Sequence, residues 1–462
     1  MRSRAWLLAL PLAGCVAGPD YRVPDRALVN HPAAQAGFAN ADNPAFSQAD
    51  LPQQWWRLYD DPRLDGLVTQ ALDANANLRA ADANLRRAEA VVREAETARL
   101  PSTGIEAGAS LARPSGVPGG LPGRLGYEAG FSLAYPLDLA GQIKRGIEAA
   151  RDDADSVRAA RDNVRVTVAA SVTRAYVAAC AANRSLAAAE HIIALEKQTL
   201  GVTQRLFRGG RGTAFDVTRA QAAVDQSETN TPPILAARQA ALLSLGALLG
   251  EPPATYPHEL DACEKPPEPI HPIPVGDGSA LLKRRPDIRQ AERTLAGATA
   301  RIGVATAGLY PQVSLGGSAG YTGLARNLGQ GSDFGLSLGP LMTWTFPNRA
   351  VAHARIAEAG AAADAAAAQF DATVLEALRQ TETALSAYAR EIDRNQRLRH
   401  ARETAARAED QANRLYRFGR TYLLSLLTAQ ANLATAESAL ASSDASVADR
   451  RIDVFLALGG GW

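Results

Sequence analysis

Residues that carry chemistry are few in this sequence. Methionine occurs twice, cysteine three times and histidine six times in 462 residues, and aromatic side chains make up 6%. The histidines, His31, His191, His258, His271, His353 and His400, are scattered, and there is no HExxH pair, GxSxG elbow or P-loop. Metalloprotease, hydrolase and phosphate-cradling chemistry therefore lack their carriers, and no enzyme activity, metal or cofactor is expected. His258, Cys263, Glu264 and His271 lie near one another but match no zinc spacing, so a decorated loop is the simpler reading. Asp152, Asp153 and Asp155 read as a solvated helix face. With one methionine besides Met1, nothing suggests a thioether path for soft metals. Lysine is scarce beside arginine, the arginines are spread along helical text, and the net charge is +1, so nucleic acid finds no basic footprint. At 47% apolar residues the composition is not that of a disordered chain. After residue 15 no stretch approaches the ~18 consecutive apolar residues of a membrane-crossing helix. A mature chain that crosses a membrane must then do so as a closed barrel.

What is present begins with "MRSRAWLLALPLAGC": Arg2 and Arg4, an apolar run, then small residues, the pattern of a secretory signal over residues 1–14. "LAGC", Leu12 to Cys15, is similar to the bacterial lipobox, which implies cleavage before Cys15 and acylation of its thiol and new amino group. Several acyl chains at ~0.8 kcal/mol per buried methylene would make a stable anchor. Val16 stands where lipoproteins kept in the inner membrane often carry Asp, which favours the outer membrane. Cys180 and Cys263 could pair in an oxidising periplasm. Cys180 sits in helical text beside Val177, however, where a small buried hydrophobe is the simpler role.

Residues 15–61 are Pro-rich and polar, ending in "QQWWRLYDDP", and read as an extended strap anchored by Trp55 and Trp56. A first repeat spans 62–250: helix over 62–98 stopped by Pro101, strands "STGIEAGASLA" and "LGYEAGFSLAYPLDL", helix over 141–208, a break at Gly209, and a return helix from Ala214 to about Leu249. At ~1.5 Å per residue the long helix would run about 100 Å. Residues 251–278 hold too many prolines for helix and form a linker. A second repeat spans 279–458: helix from Ser279 to Ala307, strands near 312–322 and 334–346, helix from Asn348 to Arg417, a break at Gly419, and a return helix, before a tail over 459–462. Pro101 to Pro311 is 210 residues, Tyr135 to Phe346 is 211 and Arg205 to Arg414 is 209. A near-constant offset across helix, strand and turn signals tandem duplication.

On the second long helix Val374, Leu378, Thr381, Leu385, Tyr388 and Ile392 follow heptad spacing, which predicts packing against other long helices. The strand pairs alternate, as in Tyr127, Ala129, Phe131, Leu133 and Tyr135, or Phe334, Leu336 and Leu338. That suits a sheet with one side toward lipid and one toward water. Four strands cannot close a spanning barrel, whose smallest forms have about eight; three chains of four would supply twelve. Pro101, Pro136, Pro311 and Pro347 then read as joints between helical wall and barrel.

These residues resemble the TolC-type outer membrane efflux proteins, in the lipoprotein branch that serves resistance-nodulation-division pumps. The resemblance is carried by "GCVAGPDYRVP", "WWRLYDDPRLDGLVTQALDANANL", "YPLDLAGQIKR", "LLKRRPDIRQAERTLAGATARIGVATAGLYP", the turns "RLFRGGRGTAFDVTRAQA" and "RLYRFGRTYLLSLLTAQA", and "ALGGGW". It covers the mature chain nearly end to end. It implies a mainly α chain with a small β part, forming a homotrimer whose 12-stranded barrel in the outer membrane lipid continues into a periplasmic coiled-coil barrel. It also implies two partners, a periplasmic adaptor (membrane fusion protein) and an inner-membrane transporter, with drugs or other toxic small molecules as cargo. The hairpin ends, Phe207 to Thr213 and Phe418 to Tyr422, correspond to the closed end that the adaptor engages. Asp216 stands where members carry an aperture aspartate, or serves as a first-turn helix carboxylate. Thr421 and Thr428 stand where relatives often have Asp, and Arg208, Arg211, Arg417 and Arg420 crowd the same region. The tip set is therefore Arg208, Arg211, Thr213, Asp216, Arg417, Arg420, Thr421 and Tyr422. A protein-secretion duct of the same superfamily and a lipid-anchored coiled coil without a pore stand as alternatives.

Overall fold

The computed structural model describes residues 16–112, 123–252, 255, 256, 258, 260, 263, 266–268, 272–346 and 349–460. The signal segment, Cys15, Glu264, His271 and Pro347 lie outside the described residues. The chain forms two compact units. One comprises Asn84–Arg158, Arg289–Asp371 and the described residues up to Ala27; the other comprises Leu28–Ala83, Ala159–Ile288 and the chain from Ala372 onward.

The principal elements are α1 (Pro62–Ala74), α2 (Ala76–Thr97), β1 (Ser102–Ala112), β2 (Arg124–Leu137), α3 (Gln142–Arg208), α4 (Ala214–Glu228), α5 (Thr231–Leu248), α6 (Gly278–Arg284), α7 (Pro286–Ala307), β3 (Gln312–Leu324), β4 (Phe334–Thr343), α8 (Ala350–Arg417) and α9 (Leu423–Ala457). Three helices expected to be continuous are broken. Asn75 takes an extended conformation between α1 and α2; its Oδ1 accepts from the amides of Asn77 and Leu78 at 3.0 and 3.2 Å, and its Nδ2 donates to the Leu248 carbonyl. The return helix after the first turn divides at Thr229–Asn230, with Pro232 and Pro233 in the opening turn of α5, where a missing amide costs nothing. Arg285 is extended because the ring of Pro286 disfavours helix in the residue before it.

In the first unit the four strands form one antiparallel meander, β1-β2-β3-β4. Ile105 lies opposite Phe131, Phe131 opposite Ala319, and Ala319 opposite Leu336. Since side chains alternate along a strand, that register collects Ile105, Leu111, Phe131, Leu133, Leu315, Leu336 and Leu338 on one face. The other face receives Ser102, Glu106, Ser110, Glu128, Ser132, Ser318 and Ser337, with Ser318 and Ser337 hydroxyls 2.8 Å apart. Pro101 and Pro311 immediately precede β1 and β3. Pro136 is the penultimate residue of β2, opposite Ser314. The chain passes from β2 to α3 through Asp138–Gly141, where Asp138 accepts from the amides of Ile143 (3.0 Å) and Lys144 (2.8 Å) to open α3.

Helix ends in this unit are tied by charge. Asp152 pairs with Arg293 at 3.4 Å, Asp153 with Arg301, Asp155 with Arg158, and Glu96 with Arg151. Asp152 and Asp153 thus pair across to α7, while Asp155 pairs within α3 and stays about half exposed, as a solvated face would. The start of the strap docks here too. Gly18 (φ +80°) packs so tightly that a Cβ would lie 2.4 Å from the Gly303 Cα. Asp20 pairs with Arg145 at 2.7 Å, which holds its carboxyl below the ordinary range. Arg293 lies over the Tyr21 ring, whose hydroxyl burial pushes up to about 12.

The second unit holds the large apolar core. Trp55 is fully buried, stacks on Phe455 at 4.5 Å and meets Tyr59 edge-on. Around them pack Leu64 and Val68 of α1, Val172 and Tyr176 of α3, Leu242 and Leu245 of α5, and Ile452 of α9. Trp56 donates to Asp65 at 2.8 Å. Phe46–Ser47 of the strap pairs in parallel with Ile273–Pro274 of the proline-rich segment. Cys180 and Cys263 are joined by a disulfide, Cα atoms 5.0 Å apart, which corrects the reading of Cys180 as a plain buried hydrophobe. Phe455→Ala is expected to lower unfolding stability by roughly 3–5 kcal/mol, the range for aromatic-to-alanine changes in packed cores, measurable by denaturant titration in detergent.

Candidate functional site

Both hairpin ends are built by the same backbone device. At the end of α3 the amide of Gly210 donates to the Phe207 carbonyl at 3.0 Å, and that of Arg211 to the Leu206 carbonyl at 2.8 Å. At the end of α8 the amide of Gly419 donates to the Tyr416 carbonyl at 2.9 Å, and that of Arg420 to the Leu415 carbonyl at 2.8 Å. Each is a Schellman closure, and each needs its left-handed residue, Gly210 at φ +69° and Gly419 at φ +68°. The duplication seen in the sequence is therefore also a duplication of turn geometry. Arg205 and Arg208, like Arg414 and Arg417, occupy last turns where cations complement the helix dipole.

The helices leaving the turns differ. Thr213 caps α4 through a reciprocal box: its hydroxyl accepts from the Asp216 amide at 3.1 Å, while the Asp216 carboxylate accepts from the Thr213 amide at 3.2 Å and hydroxyl at 2.7 Å. Among the described residues no ion pair joins Asp216 to Arg208, Arg211, Arg417 or Arg420. Tyr422 begins α9 without a side-chain cap, and Thr421 is half-buried beside it. Arg417 donates to Asn413 at 3.0 Å; Arg211 and Arg420 are exposed. Just inside the turns the two hairpins meet in a small core of Tyr416, Leu423 and Leu426 against Val202 and Leu206, with Tyr416 and Thr203 hydroxyls 3.0 Å apart. Beyond it Phe207, Phe215, Phe418, Tyr422 and Leu424 are exposed, Phe418 at 80% and Tyr422 at 86%. Arg219 covers the Phe215 ring at 5.3 Å. Exposed aromatics among arginines make a surface suited to a protein partner.

The "RRPDIRQ" text is structural. Arg285 donates to the Ala457 carbonyl at 2.7 Å, to Asp287 at 2.6 Å and to Gln380 at 2.9 Å; Arg284 donates to the Leu458 carbonyl at 2.8 Å. The motif satisfies the C-terminal carbonyls of α9.

Glu196, Glu409 and Glu437 are buried acids between the hairpin ends and the large core. Glu196 of α3 is 5% exposed, and burial pushes its carboxyl above the ordinary 4.5 despite a hydrogen bond from Ser227. A folded-state value above the unfolded one means its contribution to stability is present below pH 4.5 and is lost as pH rises through the folded value. Glu196→Gln should therefore raise the melting temperature at about pH 7 and converge with wild type under acid conditions below the ordinary carboxyl range, read by thermal scans across pH.

A family model described as outer membrane efflux protein matches residues 67–251 and 278–460. Nodulation protein T of Rhizobium leguminosarum bv. trifolii is 28% identical over 98% of this chain and 96% of that protein. The toluene efflux pump outer membrane protein TtgC of Pseudomonas putida is 29% identical over 98% of this chain and 94% of that protein. The solved outer-membrane channel OprN superposes with a TM-score of 0.90 at 32% identity, covering 97% of this chain and 100% of that one. The fold, mainly helical with a four-stranded sheet and a short parallel strand pair, is that of the TolC-type outer membrane channels. With matched text on both repeats and the same fold throughout, the chain belongs to the outer membrane efflux protein family.

Proposed function

We propose that this protein is the exit duct of a tripartite efflux pump of the resistance-nodulation-division type. Three copies would close a 12-stranded barrel in the outer membrane, and the long helices would form a periplasmic tunnel. One observation carries the reading: the sheet has an apolar face and a serine, glycine and glutamate face, and four strands of 11, 14, 13 and 10 residues match the length that spans a bilayer. The outer edges of β1 and β4 are the ones a neighbouring copy would pair with.

A lipid anchor at Cys15 is supported by its neighbour. Val16 packs against Gly141, just past β2, and the Ala17 amide donates to the Ala140 carbonyl at 2.9 Å. Acyl chains attached one residue earlier would enter the leaflet at the foot of the sheet. The hairpin ends, with Phe418, Tyr422 and Arg420 exposed, would dock a periplasmic adaptor, which joins them to the inner-membrane transporter. The conduit supplies no chemical energy; drugs and other toxic small molecules pass when the ends move apart.

Deleting the gene is expected to raise susceptibility to drugs, dyes or detergents, with plasmid-borne wild type restoring resistance. Unchanged susceptibility together with loss of a secreted protein would replace this reading with the protein-secretion duct. For the gate, alanine at Asp216 or at one of Arg208, Arg211, Arg417 and Arg420 should raise single-channel conductance in planar bilayers. Conductance equal to wild type would remove that residue from the gate.

A further inference from the structure

The heptad that begins at Val374 does not end at Ile392. Continued along α8 in steps of three and four, it passes through Asn395, Arg399, Arg402, Ala406, Glu409 and Asn413 to Tyr416. The frame is unbroken while its residues change from apolar to polar, over about 27 Å of helix at ~1.5 Å per residue. Several facing positions are polar as well, interleaved with buried Leu433 and Ala441 of α9 and Ile192 of α3. Asn395 donates to Ser443 at 3.3 Å and to Asp444 at 2.8 Å. One heptad on, Arg402 reaches Glu437 at 2.8 Å, and His191 of α3 lies 3.2 Å from the same carboxylate. The next layer is Gln430, whose Nε2 donates to Thr199 of α3 at 2.9 Å and to Glu409 at 3.2 Å. Thr199, Asn395, Glu409, Gln430, Glu437 and Ser443 are all buried. Among the described residues, two buried acceptors here, Glu196 Oε2 and Gln430 Oε1, have no partner. On one side of this stretch lies the large apolar core, on the other the Tyr416–Leu423–Leu426 cluster.

Apolar layers resist separation in proportion to the area that water would wet. Buried polar layers do not: water replaces each hydrogen bond on opening, and unpartnered acceptors gain one. We propose that this polar stretch is the compliant section of the helical wall, where α8 and α9 part from α3 while the apolar layers on either side hold, and that its residues set how readily the hairpin ends open. This rests on the duct reading for its consequence but not for its mechanics.

The test is hydrogen exchange on the full-length protein in detergent, followed by bilayer recording. In wild type the amides of 395–413 should exchange about tenfold faster than those of 374–392 in the same helix. Refilling one layer with apolar groups of similar volume, Thr199→Val with Glu409→Met and Gln430→Met, should slow exchange at 395–413 toward the 374–392 rate and lower the frequency of channel opening. Equal protection along wild-type α8 overturns the proposal even if the triple variant does not fold. A folded variant with slowed exchange but wild-type opening overturns the link to gating. A wild type that keeps the exchange contrast yet conducts nothing sinks the duct reading and leaves the compliance standing.

Discussion

Phe131→Arg is expected to cut the yield of heat-resistant trimer in the outer membrane severely, whereas Ser132→Arg, one residue on, is expected to leave it near wild type. Both side chains are exposed in the single chain, and both sit midway along β2. An exposed substitution on a water-facing sheet changes stability by only about 0.5 kcal/mol, so a soluble hairpin predicts little effect from either. A lipid-facing position is different: arginine near the bilayer midplane costs roughly 2–4 kcal/mol, incurred in each of three copies. Ser132 shares its face with Glu106 and Glu128, where a further charge would meet water. The measurement is the trimer band from outer-membrane fractions run without boiling. Equal tolerance of both arginines would mean that the apolar face does not meet lipid.

The second large effect concerns the disulfide. Cys180 and Cys263 are 83 residues apart, and closing a loop of that length lowers the entropy of the unfolded chain by the equivalent of about 4.5 kcal/mol. The bond ties α3 to the proline-rich segment, and Asn183 reinforces it by donating to the Cys263 carbonyl at 2.9 Å. Cys180→Ala with Cys263→Ala should lower unfolding stability by roughly that amount. Adding reductant should bring wild type to the same level and leave the double variant unmoved. A double variant as stable as oxidised wild type would show that the surrounding packing holds the segment unaided.

Much of the fold was legible because it is written in short-range order. β1 occupies the span that alternation and a preceding proline delimit, and the long helices end at the glycines read as breaks. Harder features depended on a second partner. Asn75 ends one helix and begins the next because its amide also finds the Leu248 carbonyl, 173 residues away. Pro136 lies within the strand text that alternation delimits, and β2 ends one residue after it, at Leu137. Asp152 and Asp153 looked solvated because their partners, Arg293 and Arg301, are distant in sequence.

The candidate site was half legible. Turn text located both hairpin ends and their arginines, but the cap formed by Thr213 and Asp216, and its absence at Tyr422, needed coordinates. The heptad was visible to Ile392 and then concealed by its own polarity, since a periodicity search follows apolar residues.

By itself the sequence determined the two repeats, the alternation of the strands, the span of the long helices and the place of each turn, because all of these follow from the chemistry of residues a few positions apart. The tertiary structure alone decided the register that gathers one apolar face from four strands, the Cys180–Cys263 bond and the buried polar stretch of the wall. Those depend on which distant groups come to share a place out of water, and periodicity along a chain carries no record of that.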